Sequence, residues 1–146
     1  VDVDAIIGCF AEDPGPAQLD EFRDLIDAAF GENTIEDIFD HLSIIDHNWA
    51  KETVAVLKKM SPISLKIIIE QLRRGGKLDF DDCMKMEYRI VCAISSYDSD
   101  FYEGVRAVLI DKDHNPSWIP VSLDEVKTDM VMAHFNIPDE GEDLEL

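Results

Sequence analysis

Lys59, Lys66 and Arg73 recur at intervals of seven, and with Lys58 and Arg74 they form the one basic concentration in a strongly acidic chain. On a continuous helix that spacing puts them on one face, where they could meet an anion such as a phosphate. Ser61-Pro62 falls inside the series and interrupts it, because proline cannot continue a helix that began before it. A solvated face, or pairing with the acidic first third of the chain, is the plainer reading. Glu87, beside Tyr88 at the edge of an apolar stripe, would invite acid–base chemistry if it were buried with a perturbed pKa. A structural partner for Arg89 is the ordinary role for such a residue.

Other chemistry is poorly provided for. Cys9, Cys83 and Cys92 form no CxxC pair, and His41, His47, His114 and His134 have no metal-ligand spacing with them or with each other, so no metal site is expected. An odd number of unspaced cysteines points to reduced thiols. Gly75-Gly76 precedes Lys77 but follows a helical pattern, which makes it a helix terminator rather than a phosphate cradle. No catalytic residue is assigned.

The chain of 146 residues carries a formal net charge of −19. Residues 1–46 hold 13 acids and one base, residues 51–91 hold nine bases and six acids, and residues 92–146 hold 13 acids and three bases. Such a surface repels nucleic-acid phosphate and anionic membranes, and no apolar run reaches the roughly 18 residues of a membrane span. Only the middle segment suits an anionic ligand. A hydrophobic content of 46% supports a packed core. The start at Val1 without methionine or leader suits a fragment or a processed product.

Helix follows helix in the apolar pattern. Residues 3–11 read as a short amphipathic helix, ended by the Pro14-Gly15-Pro16 turn. Leu19, Phe22, Leu25, Ile26 and Phe30 mark a helix over 17–30, with Gly31 expected as a left-handed cap. Thr34 is the expected N-cap of the next helix, and residues 48–60 form another. Ser61-Pro62 starts a helix to about Arg74 that is apolar nearly all round and so should be buried on most sides. Asp79 should cap a helix from Phe80 to about Ser96, with Phe80, Met84, Tyr88 and Val91 inward. Residues 95–99 read as a linker. Asp100 with Glu103, and Ser122 with Glu125, resemble capping boxes. Residues 105–110 have strand composition but also helical period, and helix is preferred. Trp118, between Pro116 and Pro120, should anchor its loop on the helices.

Three blocks then carry a resemblance: Met60-Ser61-Pro62-Ile63-Ser64-Leu65-Lys66; Met86-Glu87-Tyr88-Arg89; and the run from Asp100 through Glu103-Gly104-Val105-Arg106-Ala107 to Asp111-Lys112-Asp113, followed by Asn115-Pro116-Ser117-Trp118. In order and spacing they resemble the C-terminal region of the crotonase (enoyl-CoA hydratase/isomerase) superfamily, most closely its 3-hydroxyisobutyryl-CoA hydrolase branch, which cleaves an acyl-CoA thioester in valine breakdown. The resemblance covers roughly residues 20–135. With the helical pattern it points to an all-α fold, a multi-helix domain over residues 1–137 without the family's β-rich spiral core; residues 138–146 read from their composition as an acidic, disordered tail. The resemblance implies an acyl-CoA substrate, no cofactor, a mitochondrial address, the remainder of the same polypeptide as partner, and a possible homo-oligomer.

Thioester hydrolysis needs N–H donors for the oxyanion and a carboxylate to act on water or the acyl group; the resemblance places both in the absent half. It makes Lys112 a candidate for the CoA phosphates, against a surface lysine balancing Asp111 and Asp113 as the bland alternative. It makes Phe101 a candidate for the CoA groove, against an ordinary core residue at helical spacing. Two other readings stand beside it: an acidic helical module that binds a partner protein, and the tail of another crotonase-type hydratase or isomerase.

Overall fold

The computed structural model describes residues 2–12, 15–96, 99–138 and 143–145. Its elements are α1 (Val3–Gly8), a 3-10 turn (Asp20–Phe22), α2 (Arg23–Phe30), α3 (Ile35–Ile44), α4 (Asn48–Leu57), α5 (Pro62–Gly75), α6 (Phe80–Ile94), α7 (Asp100–Val105) running on as a π-helix (Arg106–Ile110), a 3-10 turn (Leu123–Glu125) and α8 (Thr128–Ala133). Among the described residues there is no strand.

Local chemistry explains most boundaries. The Thr34 hydroxyl accepts from Asp37 N at 3.1 Å, Ser61 Oγ from Ser64 N at 3.2 Å, and Asp79 from Asp82 N at 2.9 Å. Each satisfies an amide that the first helical turn leaves open. His47 caps α4 in the same way, its Nδ1 accepting from Trp49 N at 3.1 Å. Gly31 stays right-handed at φ −74°, contrary to the expected left-handed cap. Part of the expected turn after α1 lies outside the described residues, as do parts of the 95–99 linker and of the acidic tail. Within that tail Asp143 is held, its Oδ1 accepting from Arg89 Nε at 3.0 Å.

α5 divides two cores. On one side Leu65 joins Ala29, Ile35, Ile38, Leu42 and Ala50, with Trp49 packed against them. Trp49 is stacked on Phe22 at 5.9 Å and meets the edge of Phe30 at 6.4 Å. On the other side Ile67 joins Met86, Ile90, Val126, Val131 and Phe135. The expectation that α5 is covered on most sides fails on its third side, where Ile68 is 49% and Leu72 68% exposed. α6 likewise turns Met86 and Ile90 inward, while Phe80, Met84 and Val91 of the expected inward stripe lie exposed and Tyr88 is half-buried. α5 thus buries two apolar faces and leaves a third exposed, while α6 buries one of its two.

Neighbouring positions on α5 should therefore respond differently. Ile67→Asp places a carboxylate where the side chain is 2% exposed, which costs about 3 kcal/mol or more. Ile68→Asp, at a half-exposed position, should change the stability of this chain by less than about 1 kcal/mol. Urea unfolding of both variants checks this; equal losses would mean that the outer face of α5 is covered.

Candidate functional site

Arg106 closes the turn that presents Lys112. It sits where α7 becomes a π-helix, a rare widening that recurs at functional positions. Its guanidinium has five N–H donors, and all five are used. Nε and one Nη2 donor form a fork with Glu103, both at 2.8 Å. Nη1 donates to Asp111 at 2.6 Å and to Asp113 at 2.8 Å, and the second Nη2 donor reaches the Asn115 carbonyl at 3.2 Å. Glu103 also accepts from Ser117 N at 2.6 Å, and Asp113 accepts from Asn115 N at 2.9 Å. The loop from 111 to 117 is thus folded around one side chain.

The loop is fastened at its far end as well. Trp118 Nε1 donates to the Lys59 carbonyl at 2.9 Å, and the ring lies so close to Gly104 that an added Cβ would sit 3.4 Å from it. The tryptophan anchor read from the sequence therefore has its partner at the α4–α5 junction. Asp100 accepts from Ser61 Oγ at 2.5 Å and from Ile119 N at 2.9 Å. The Asp100/Glu103 pair does not form the expected capping box: both carboxylates hold distant parts of the chain instead. The Ser122/Glu125 box does not form either: Ser122 makes no capping bond, and Glu125 accepts from Val121 N at 3.3 Å, one residue before it.

Lys112 follows directly after the π-helix, exposed and left-handed at φ +56°. An L-residue there carries strain of order 1–3 kcal/mol. It does not balance its acidic neighbours, because Asp111 and Asp113 both turn to Arg106. Among the described residues the Lys112 ammonium has no ion pair and no hydrogen-bond partner. Phe101 lies one helix away, 51% exposed, with its ring 5.4 Å from that of Tyr102. The core role considered for it does not hold. Phe101 stands in the first turn of α7, and Lys112 follows the end of its π-helical continuation, eleven residues on.

The basic series does not form a face. Lys66 pairs with Glu36 at 2.7 Å, meeting the acidic first third of the chain as expected. Arg73 and Arg74 share Glu70, each with a contact of 2.6 Å. Glu87 is exposed and accepts from Gln71 at 2.6 Å, while its expected partner Arg89 binds Asp143. Among the described residues no group of three His, Cys, Asp or Glu side chains could hold a metal ion, and no helix is long and apolar enough to cross a membrane.

Electrostatics follow the contacts. The guanidinium of Arg106 and the Ser117 amide hold the Glu103 carboxyl down at about 2, from an ordinary 4.5. Arg106 and the Asn115 amide lower Asp113, and Glu103, Asp113 and Asp111 together raise Arg106. Sequence reasoning singled out Lys112 and Trp118 but not Arg106. The available signal was an arginine with acids three residues before it and five and seven after it.

An all-helical scaffold whose signature residues tie a lysine-bearing loop to a helix junction defines a structural class, and comparison places it. A model of the enoyl-CoA hydratase/isomerase family matches residues 1–135, and the chain belongs to that family. It is 41% identical over 112 residues to the mitochondrial 3-hydroxyisobutyryl-CoA hydrolase of Dictyostelium discoideum, covering 75% of this chain and 29% of that protein. It is 40% identical over 126 residues to the small ribosomal subunit protein mS47 of Arabidopsis thaliana, covering 82% of this chain and 31% of that protein. Among solved structures, a carnitinyl-CoA dehydratase from Mycobacterium thermoresistibile superposes with a TM-score of 0.82 at 34% identity, over 94% of this chain and 39% of the other. The chain thus spans about three tenths of the length of these curated relatives.

Because the folded pKa of Glu103 lies below its unfolded value, its contribution to stability is complete above the unfolded value near 4.5 and is lost as pH falls toward about 2. Glu103→Gln should remove that part of the acid dependence and lower stability at neutral pH. Urea midpoints between pH 2 and 7 measure it; parallel curves for the two proteins would contradict the role given to Glu103.

Proposed function

We propose that this chain is the helical C-terminal part of a 3-hydroxyisobutyryl-CoA hydrolase, located in mitochondria like the relative named so. In the whole enzyme water adds to the acyl carbon of a short branched hydroxyacyl-CoA. The C–S bond then breaks, giving the free acid and the CoA thiol. No metal or redox cofactor takes part.

The observation that carries this reading is the freed Lys112. A clasp that draws both neighbouring carboxylates onto Arg106 leaves an ammonium available for the phosphates of CoA. Phe101, Val108 and Leu109, all about half or more exposed on the same helical element, would form the apolar side of that rim. The carboxylates of the region already have structural work: Asp100 on Ser61, Glu103 on Arg106, Glu70 on Arg73 and Arg74. Catalytic carboxylate and oxyanion donors therefore belong to the remainder of the polypeptide. That remainder, or a second subunit, would cover the outer faces of α5 and α6.

A second reading is favoured by one relative. The mS47 protein is as similar to this chain as the hydrolase is, so the same helical scaffold also suits a protein whose name describes an assembly component. On that reading the exposed apolar faces bind a partner protein, and Lys112 has no substrate.

The 146-residue chain alone should cleave 3-hydroxyisobutyryl-CoA no faster than buffer, while a polypeptide that includes the upstream region should turn it over. Thiol release measured on both separates the readings: an inactive longer polypeptide would favour the binding module. In an active longer polypeptide, Lys112→Ala should raise KM for the acyl-CoA about tenfold and leave kcat nearly unchanged. This is the pattern of a group that holds substrate and transition state alike. An unchanged KM would return Lys112 to the surface.

A further inference from the structure

A cavity of about 420 Å³ opens between the C-terminal end of α5, α6 and Phe135. Arg73, Arg74, Lys77, Lys85 and Arg89 line it, five of the thirteen lysines and arginines in the chain. Their carboxylate partners are Glu70, Asp82 and Asp143, so the cavity keeps an excess of two positive charges in a protein of net charge −19.

The cations are held but not used up. Glu70, its side chain only 12% exposed, takes Nε of both Arg73 and Arg74. Arg74 lies 4.1 Å over the buried ring of Phe135, which fixes the plane of its guanidinium. Arg89 is fixed by its fork with Asp143. Each of the three arginines keeps Nη1 donors that no described residue takes. Lys85 stands 3.8 Å from Asp82, beyond hydrogen-bond length, and among the described residues the Lys77 ammonium has no partner. Fixed guanidiniums beside the unpaired Lys77 and the loosely paired Lys85 are what a multiply charged oxyanion requires. The cavity is much larger than an orthophosphate, and Leu78, Met86 and Phe135 give it apolar walls.

We propose that this cavity binds a phosphorylated small molecule of nucleotide size, its phosphates on the lysine and arginine rim and its flat body toward Phe135. The site is separate from the Lys112 loop. That loop is fastened at the start of α5, through Ser61 and the Lys59 carbonyl, and the cavity lies at the end of α5, fourteen residues on, or about 20 Å. The proposal holds whether the parent protein is a hydrolase or a binding module.

ADP titrated into the 146-residue chain by calorimetry at low salt is the test, with adenosine and pyrophosphate as partial ligands. Saturable one-to-one binding is expected, weakened at least tenfold by Lys77→Glu/Lys85→Glu and by added salt, with pyrophosphate competing and adenosine far weaker. Lys77→Glu alone, at an exposed and unpaired position, should leave the circular dichroism melt in place and still weaken binding several-fold. Lys51→Glu, at an exposed position outside the cavity lining, should leave ADP binding unchanged. Binding that fails to saturate, that survives Lys77→Glu and the double change, or that is lost with Lys51→Glu or with Lys112→Glu would overturn the proposal; the last result would assign the phosphates to the Lys112 loop.

Discussion

The five-donor closure around Arg106 is the constraint on which the signature region depends. An arginine offers its hydrogens in one rigid plane, so meeting all five fixes where Glu103, Asp111, Asp113 and Asn115 stand relative to each other. Glu103 passes that order to the Ser117 amide, and the next residue, Trp118, carries it to the Lys59 carbonyl. A sequence run that reads like a motif for binding is first of all a device for folding a loop back on its own helix. Lysine at 106 could not do this, since three donors on a flexible stem neither match five acceptors nor fix a plane. The freedom of Lys112 follows from the same contacts, because the acids beside it are spent on Arg106.

The charge distribution has a comparable logic. A chain with 32 acids and 13 bases cannot pair its carboxylates one for one. It places several at helix starts: Asp2 and Asp79 cap α1 and α6 by accepting backbone amides, and Asp37 lies in the first turn of α3, where it accepts from the Thr34 hydroxyl. Carboxylates there meet open N–H groups and the positive end of the helix dipole. The scarce cations are kept for long-range ties: Lys66 to α3, Arg89 to the tail, Arg106 to its loop. The cavity at the end of α5 is the place where they gather in excess.

What could be read from the sequence was what local chemistry decides. Thr34, Ser61 with Pro62, and Asp79 start helices because their side chains reach amides three residues on, and that reach does not depend on tertiary context. The helical reading of 105–110 came close, although the widening to a π-helix leaves no mark in apolar period. Asp100 and Glu103 misled because their spacing satisfies a local rule while their partners, Ser61 and Ser117, are 39 and 14 residues away. The gathering of Arg73, Arg74, Lys77, Lys85 and Arg89 was hidden for the same reason: two helices contribute to it, and only their packing brings the five together.

The error over α6 is of another kind. Phe80, Met84 and Val91 do form a stripe, and so do Met86 and Ile90 with Ile94. Periodicity reports that a face is apolar, not which neighbour covers it. Leaving large aliphatic and aromatic side chains exposed on the second face forgoes about 1.5–3 kcal/mol of burial apiece. α5 has the same property, with Leu65 and Ile67 inside and Ile68 and Leu72 outside. Both helices therefore leave one apolar face exposed among the described residues. That patterning belongs to the 146 residues themselves, and under the proposed reading these outer faces are what the rest of the polypeptide or a partner protein would cover.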